Sequence, residues 1–214
     1  MKKIVCLFVC LFAGSVNAGL ITQATSVTTP NAPDPAGWGV EHLIDQSGLS
    51  SNYVSGVTDF SSFVSTTTAE YSITGASNAL GGAATSSPIF DFDMGSIMSL
   101  AGLAIWNQAG SASVNIFDVY GSLDGISYSL LGSNFGAPIQ SGSAAPAYLA
   151  SWAAQDMRYV RLDVLSNDGF SGATRFNEIA FDQASFASVP EPSALLLLGV
   201  GFAGLRFSRK KNAT

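Results

Sequence analysis

The chain has 214 residues, only 11% of them charged, and a formal net charge of −6 from nine Lys and Arg against fifteen Asp and Glu. Six of the nine cations sit at the two ends (Lys2, Lys3, Arg206, Arg209, Lys210 and Lys211), so residues 19–189 set fourteen acids against Arg158, Arg161 and Arg175, a balance of −11. An interior this acidic excludes binding to nucleic-acid phosphates, which needs clustered Lys and Arg, and it lacks the basic face of a helix lying on an anionic membrane.

Residues 1–18 combine a positive start (Lys2, Lys3), an unbroken apolar stretch from Ile4 to Ala13 and the small-x-small site Val16-Asn17-Ala18. In that order these parts predict a secretory signal peptide cut after Ala18. Both cysteines, Cys6 and Cys10, fall inside it. The expected mature body therefore has no disulfide, Cys-ligated zinc, iron–sulfur cluster or thiol nucleophile.

Residues 19–188 are expected to form one domain, rich in Ser, Thr, Gly and Asn. Residues 28–41 hold three prolines and predict an extended loop. From Pro88 to Met94 the alternation is strict: Phe90, Phe92 and Met94 share one face, Asp91 and Asp93 the other. Ser99–Trp106 is continuously apolar, as in a central strand, with Trp106 expected in the core. Ser113–Ser122, Met157–Ser166 and Arg175–Asp182 alternate again. This period of two is the signal of half-buried strands. Turn residues separate the runs at Gly95-Ser96, Asn107–Gly110, Asp124-Gly125 and Asn167–Gly169, and residues 132–146 predict a second loop. Many short strands at such spacing predict an all-β chain, a single jelly-roll β-sandwich.

Residues 189–214 form a tail of different character. Val189, Pro190, Glu191 and Pro192 break any preceding element, residues 193–205 are small and apolar, and Arg206, Arg209, Lys210 and Lys211 close it. Thirteen residues of helix cover about 20 Å against a hydrocarbon core of about 30 Å, so the predicted membrane helix is short and the basic end marks its cytoplasmic side. This tail resembles the PEP-CTERM sorting signal. The resemblance implies export across the inner membrane of a Gram-negative bacterium, transient anchoring there, and release to the surface or medium by an exosortase-type protease.

The body's pieces also come in a telling order: His42–Tyr53, Phe90–Gly95 (FDFDMG), Leu100–Asn107, Phe117–Gly125 with its Ser-Leu-Asp-Gly hairpin, and Met157–Val164 (MRYVRLDV) leading to Phe176–Phe181. The series resembles the discoidin family (coagulation factor 5/8 type C), whose fold is the galactose-binding-like jelly roll. Asp45 is followed by Gln46 where the family usually has Gly, and Asp-Met-Gly stands for Asp-Leu-Gly. In sugar-binding relatives Ca²⁺ sits where the early Asp loop meets the late Glu. The resemblance thus implies a calcium site at Asp45, a carbonyl near Leu43 or Gly48, Ser50 and Glu178. Oxygen donors suit that ion. The alternative is that Asp45 caps its own turn and Glu178 pairs with Arg161 or Arg175.

The family binds ligands on loops at one end of the barrel, which nominates Trp38, Tyr53, Phe60, Asn107, Asn167, Asp168 and Phe170 for carbohydrate, since aromatic faces stack on sugar rings and Asn or Asp fix hydroxyls. Catalysis is not expected. His42 is the sole histidine, no Gly-x-Ser-x-Gly occurs, and Asp91 and Asp93 read as a strand face rather than a glycosidase pair. The expected role is a secreted, surface-sorted binder of carbohydrate or exopolysaccharide matrix. A structural surface protein without a discrete ligand is the alternative, and a polysaccharide hydrolase a more distant one.

Overall fold

The computed structural model describes residues 19–34, 37–69, 80–140 and 145–184. The expected signal peptide and the sorting tail lie outside the described residues. Among the described residues no helix is long and apolar enough to cross a membrane.

The strands are β1 (Leu20–Thr22), β2 (Ser26–Thr28), β3 (Thr68–Ala69), β4 (Gly81–Ala83), β5 (Ile89–Asn107), β6 (Val114–Ser122), β7 (Ser129–Gly136), β8 (Ala145–Pro146), β9 (Tyr148–Asn167) and β10 (Thr174–Gln183). A 3-10 turn at Val40–Leu43 and the helix α1 (Phe60–Thr66) complete the elements. The named pairings are antiparallel and run β1-β10-β5-β9-β6-β7, with β2 on β5 and β4 on β10.

The sandwich arises because β5 and β9 each serve both layers. Residues 89–93 of β5 lie between β2 and residues 159–163 of β9. Residues 100–107 lie instead between β10 and the first half of β9. The register slips between Asp93 and Met98, which is where the strand bends. Gly95 sits there at φ +80°, a left-handed conformation that costs glycine little, and its N–H donates to Asp93 Oδ1 at 2.7 Å. The turn expected at Gly95-Ser96 is therefore a bulge inside one long strand. Arg158 closes the bend with paired hydrogen bonds of 2.8 and 2.9 Å to Asp93, so it faces outward instead of joining Val160, Leu162 and Val164 in the core.

The core lies between the layers. Phe90, Phe92, Phe117, Val119, Val160 and Leu162 come from one, and Leu103, Ile105, Phe176, Ile179 and Phe181 from the other; all are fully buried. The seam is aromatic: Phe90 meets Phe176 edge-on with centroids 5.4 Å apart, and Phe92 meets Phe181 at the same distance. Such pairs each add about 0.5–1.5 kcal/mol beyond the area they bury.

The other face of β5 and β10 is covered by the segment leading to α1. Phe60, Phe63 and Val64 fall on one side of that helix and pack with Tyr53 and the fully buried Trp106. Asp59 caps the helix, accepting from Ser62 N at 2.7 Å. Trp106 Nε1 donates to Thr67 O at 3.0 Å, which satisfies its polar atom inside the cluster. The loop expected over 132–146 is corrected in part: Ser129–Gly136 is β7, whose Leu131 and Phe135 reach the core edge, and Ala145–Pro146 pairs with β3.

Phe92→Ala would remove one ring of the seam from a site with no room to collapse. The expected loss is about 3–5 kcal/mol, read by urea denaturation. Leu130→Ala, on an exposed position of β7, is expected to stay within about 0.5 kcal/mol of wild type.

Candidate functional site

One end of the sandwich is built from the chain on either side of β5, β6, β9 and β10, laced by hydrogen bonds. Asn31 Oδ1 accepts from Ile89 N at 2.8 Å, and Ala84 N donates to Pro33 O at 2.9 Å. Arg175 N donates to Ala112 O at 2.8 Å and Phe170 N to Ser111 O at 3.0 Å. Thr174 Oγ1 donates to Thr85 O at 3.0 Å.

Onto this base the chain places Trp38, Phe170 and Arg175. The Arg175 guanidinium carbon lies 3.2 Å from the Trp38 ring centroid and 5.9 Å from that of Phe170. Among the described residues Arg175 forms no ion pair, and its Nε is buried without a hydrogen-bond partner. Burial pushes its pKa down. A cation held against aromatic rings with no acid leaves N–H donors that no group of the described residues takes up. Phe170 is 41% exposed and Trp38 half-buried, so aromatic surface remains open beside those donors.

The other nominated ligand residues take different places. Asn167 holds the Phe170 turn, its Nδ2 donating to Phe170 O at 2.6 Å and Ala173 O at 2.9 Å. Asp168 accepts from the Ser113 hydroxyl. Both shape the corner, Asn167 with its amide committed to the turn. Tyr53, Phe60 and Asn107 are corrected outright, because all are buried. Tyr53 and Phe60 belong to the cluster around Trp106. Asn107 spends its amide as a substitute strand partner: Nδ2 donates to Val114 O at 2.7 Å, and Oδ1 accepts from Val114 N at 3.1 Å.

Arg175 was not among the nominated residues. One signal existed: Arg175 opens a strand directly after the Asn167–Gly172 turn, with no acid at the next alternate position, Asn177.

The expected calcium residues divide. Asp45 and Glu178 meet across the early loop. Asp45 Oδ2 is 2.7 Å from His42 Nδ1, and Oδ1 accepts from Ser47 N at 2.9 Å. Partial burial raises the Asp45 pKa, but the Ser47 and His42 hydrogen bonds outweigh it and hold the carboxyl below its ordinary value. Glu178 is fully buried. Its Oε2 accepts from Gln46 N at 2.8 Å, while Oε1 has no hydrogen-bond partner. Burial drives its pKa well up; the Gln46 N–H pulls against that, and the Asp45 charge adds to the rise.

Gln46 stands at φ +64°, the left-handed conformation a Gly would take more cheaply. Its side chain anchors the loop, Oε1 accepting from Tyr53 N at 2.8 Å and Nε2 donating to Gln23 Oε1 at 3.2 Å. Ser50 does not join the acids, since its Oγ accepts from Thr68 N at 3.0 Å. Among the described residues Glu178 pairs with no arginine: Arg161 is bonded to Asp91 at 2.7 and 2.8 Å. Among the described residues no three of His, Cys, Asp and Glu gather as a metal cluster.

Residues 188–211 match the PEP-CTERM protein-sorting motif, so the chain carries that signal. The described body is a jelly-roll β-sandwich. It is similar to a fragment of a "putative chitobiase" from Bacteroides thetaiotaomicron at 15% identity and a TM-score of 0.52, over 78% of this chain and 93% of that one. It also aligns with the CBM32 of AlyQ in complex with 4,5-unsaturated mannuronic acid (16% identity, TM-score 0.49, 77% and 99% covered). A third is CpGH89CBM32-5 from Clostridium perfringens, in complex with GalNAc-β-1,3-galactose (13% identity, TM-score 0.47, 73% and 94%). No curated protein matches the chain in sequence.

The Glu178 geometry has a pH consequence. An acid whose folded pKa is raised binds more protons folded than unfolded. It therefore favours folding at low pH, and that advantage is lost as pH rises from its ordinary value near 4.5 through the folded pKa. In EDTA, Glu178→Gln is expected to flatten the fall of melting temperature between acid and neutral pH. A single group can account for at most about 1.4 kcal/mol per pH unit.

Proposed function

We propose that the body is a non-catalytic carbohydrate-binding module, exported and sorted to the surface of a Gram-negative cell through its PEP-CTERM tail and an exosortase-type protease, where it engages exopolysaccharide. The observation that carries this is Arg175 between Trp38 and Phe170: a guanidinium in an acidic protein, given rings instead of a carboxylate. Flat apolar faces beside fixed N–H donors are what a sugar ring needs, stacking on its C–H side and hydrogen bonds to its hydroxyls. The sorting motif supports the surface destination. A binding role also fits the fate of Asp91 and Asp93, which are each fastened to an arginine by two hydrogen bonds.

Titration calorimetry of the purified full-length chain against neutral and uronic oligosaccharides tests this, with a detergent lacking a sugar headgroup. Trp38→Ala and Arg175→Ala are each expected to weaken binding about tenfold or more, equivalent to about 1.4 kcal/mol, with the melting temperature monitored alongside. Unchanged affinity in both variants would overturn the reading.

A calcium ion is a second element of the proposal, favoured by one observation: the unpartnered, buried Glu178 Oε1 beside Asp45. Asp45 and Glu178 would hold it, with carbonyl oxygens of the 43–48 loop completing an oxygen set. The ion would offset two neighbouring negative charges and fasten that loop. Ca²⁺ is then expected to raise the melting temperature of the EDTA-treated chain, and Glu178→Gln to abolish the rise. No shift in the wild type would remove the ion from the account.

A further inference from the structure

Away from the Trp38 corner, the outer face of the layer formed by β2, the first half of β5, the second half of β9, and β6 carries a cleft of about 360 Å³. Ser26 and Thr28 of β2 form one wall. Tyr128, Tyr159 and the Asp124-Gly125 turn form the other, with Asp91 and Asp93 at the base. A second hollow of about 310 Å³ adjoins it on the far side of Asp124.

The walls are held in place by side-chain contacts on the outer face of the sheet. Arg161 stacks over the Tyr128 ring at 4.1 Å while binding Asp91 through Nε and Nη2. Arg158 lies 5.0 Å from the Tyr159 ring while binding Asp93 in the same way. Gly125 takes φ +73°, a left-handed conformation that costs glycine little, and the turn lies against the Tyr159 ring. Asp124 Oδ1 fixes the turn, accepting from Ile126 N and Ser127 N at 2.8 Å each and from the Ser122 hydroxyl at 2.9 Å.

We infer that this cleft is a second binding site, for a neutral polyhydroxylated ring such as one or two monosaccharide units. Its charge selects the class. The guanidinium groups balance Asp91 and Asp93, which weakens the attraction for a metal cation, while Asp124 adds a negative charge that disfavours uronates and phosphates. What remains are the hydroxyl groups of Ser26 and Thr28, able to donate to and accept from sugar hydroxyls, opposite the tyrosine rings. The volume lies at the small end of ligand pockets, which run from about 300 to 1,000 Å³. The site shares no residue with the Trp38 corner and stands independently of it.

NMR titration of the isotopically labelled full-length chain tests it, with glucose, galactose, N-acetylglucosamine and their β-linked disaccharides as probes. In a Trp38→Ala background these sugars are expected to shift the amides of Thr28, Gly125 and Tyr159. Thr28→Phe, on the exposed edge of β2, is expected to block the cleft and weaken that event about tenfold or more. Thr28→Ser is expected to retain it. Ser26→Trp serves as a second blocking variant should Thr28→Phe lower the melting temperature. Sugar shifts confined to the surroundings of Trp38 and Phe170, an event unaffected by either blocking variant, or shifts produced by CaCl₂ and not by sugars would each overturn the inference. Loss of the corner event alone in Trp38→Ala, with the cleft event intact, separates the two sites.

Discussion

The bend in β5 is the constraint on which the rest of the molecule depends. One strand supplies Phe90 and Phe92 to one layer and Leu103 and Ile105 to the other, so the two faces of the core are covalently the same element. The bend also returns the chain to its starting end. Phe90, near the strand's beginning, packs on Phe176, and Asn107, at its close, pairs with Phe176 in the ladder. The loop before β5 and the loop after it must then meet at one end of the sandwich, and there Thr85 O and Ala112 O, one from each loop, accept hydrogen bonds from Thr174 and Arg175 at the start of β10. The Trp38 corner is a product of that return.

Charge explains how the few cations are used. The interior of the chain has fourteen acids and only Arg158, Arg161 and Arg175. Two of these arginines take bidentate carboxylate partners on the outer face of β5, where partial exposure keeps the desolvation cost low. The third has none. A half-buried guanidinium without an acid costs free energy that its contact with Trp38 offsets only in part, since cation–π contacts return about 0.5–2 kcal/mol. In a protein with acids to spare, such an exception is most economically read as a group kept for a ligand.

Much of the fold was legible because period-two alternation is a local property. Phe90, Phe92 and Met94 could be assigned to the core, and Trp106 to a central strand, from spacing alone. The bend was not legible, because Gly95-Ser96 chemistry suits a turn between strands as well as a bulge within one. Helix α1 is too short to show in the sequence pattern: seven residues carry Phe60, Phe63 and Val64 at helical spacing, and their burial against Trp106 decides the conformation. The site was legible in its aromatic half, Trp38 and Phe170, since loop aromatics stand out in a Gly- and Ser-rich background. Its polar half was not. Arg175 gains its meaning from a ring 137 positions earlier in the chain. Asn107 and Tyr53 looked available only because sequence does not show that Val114 N and O, or the Trp106 cluster, claim them first.

The central claim is that the Trp38–Arg175–Phe170 corner is where carbohydrate binds. A crystal structure of the protein with a bound oligosaccharide tests it most directly. The expected result is a sugar ring seated against Trp38 or Phe170, with a hydroxyl or carboxylate oxygen accepting a hydrogen bond from the Arg175 guanidinium. A saccharide bound elsewhere on the body, with that guanidinium making no contact to it, would refute the assignment.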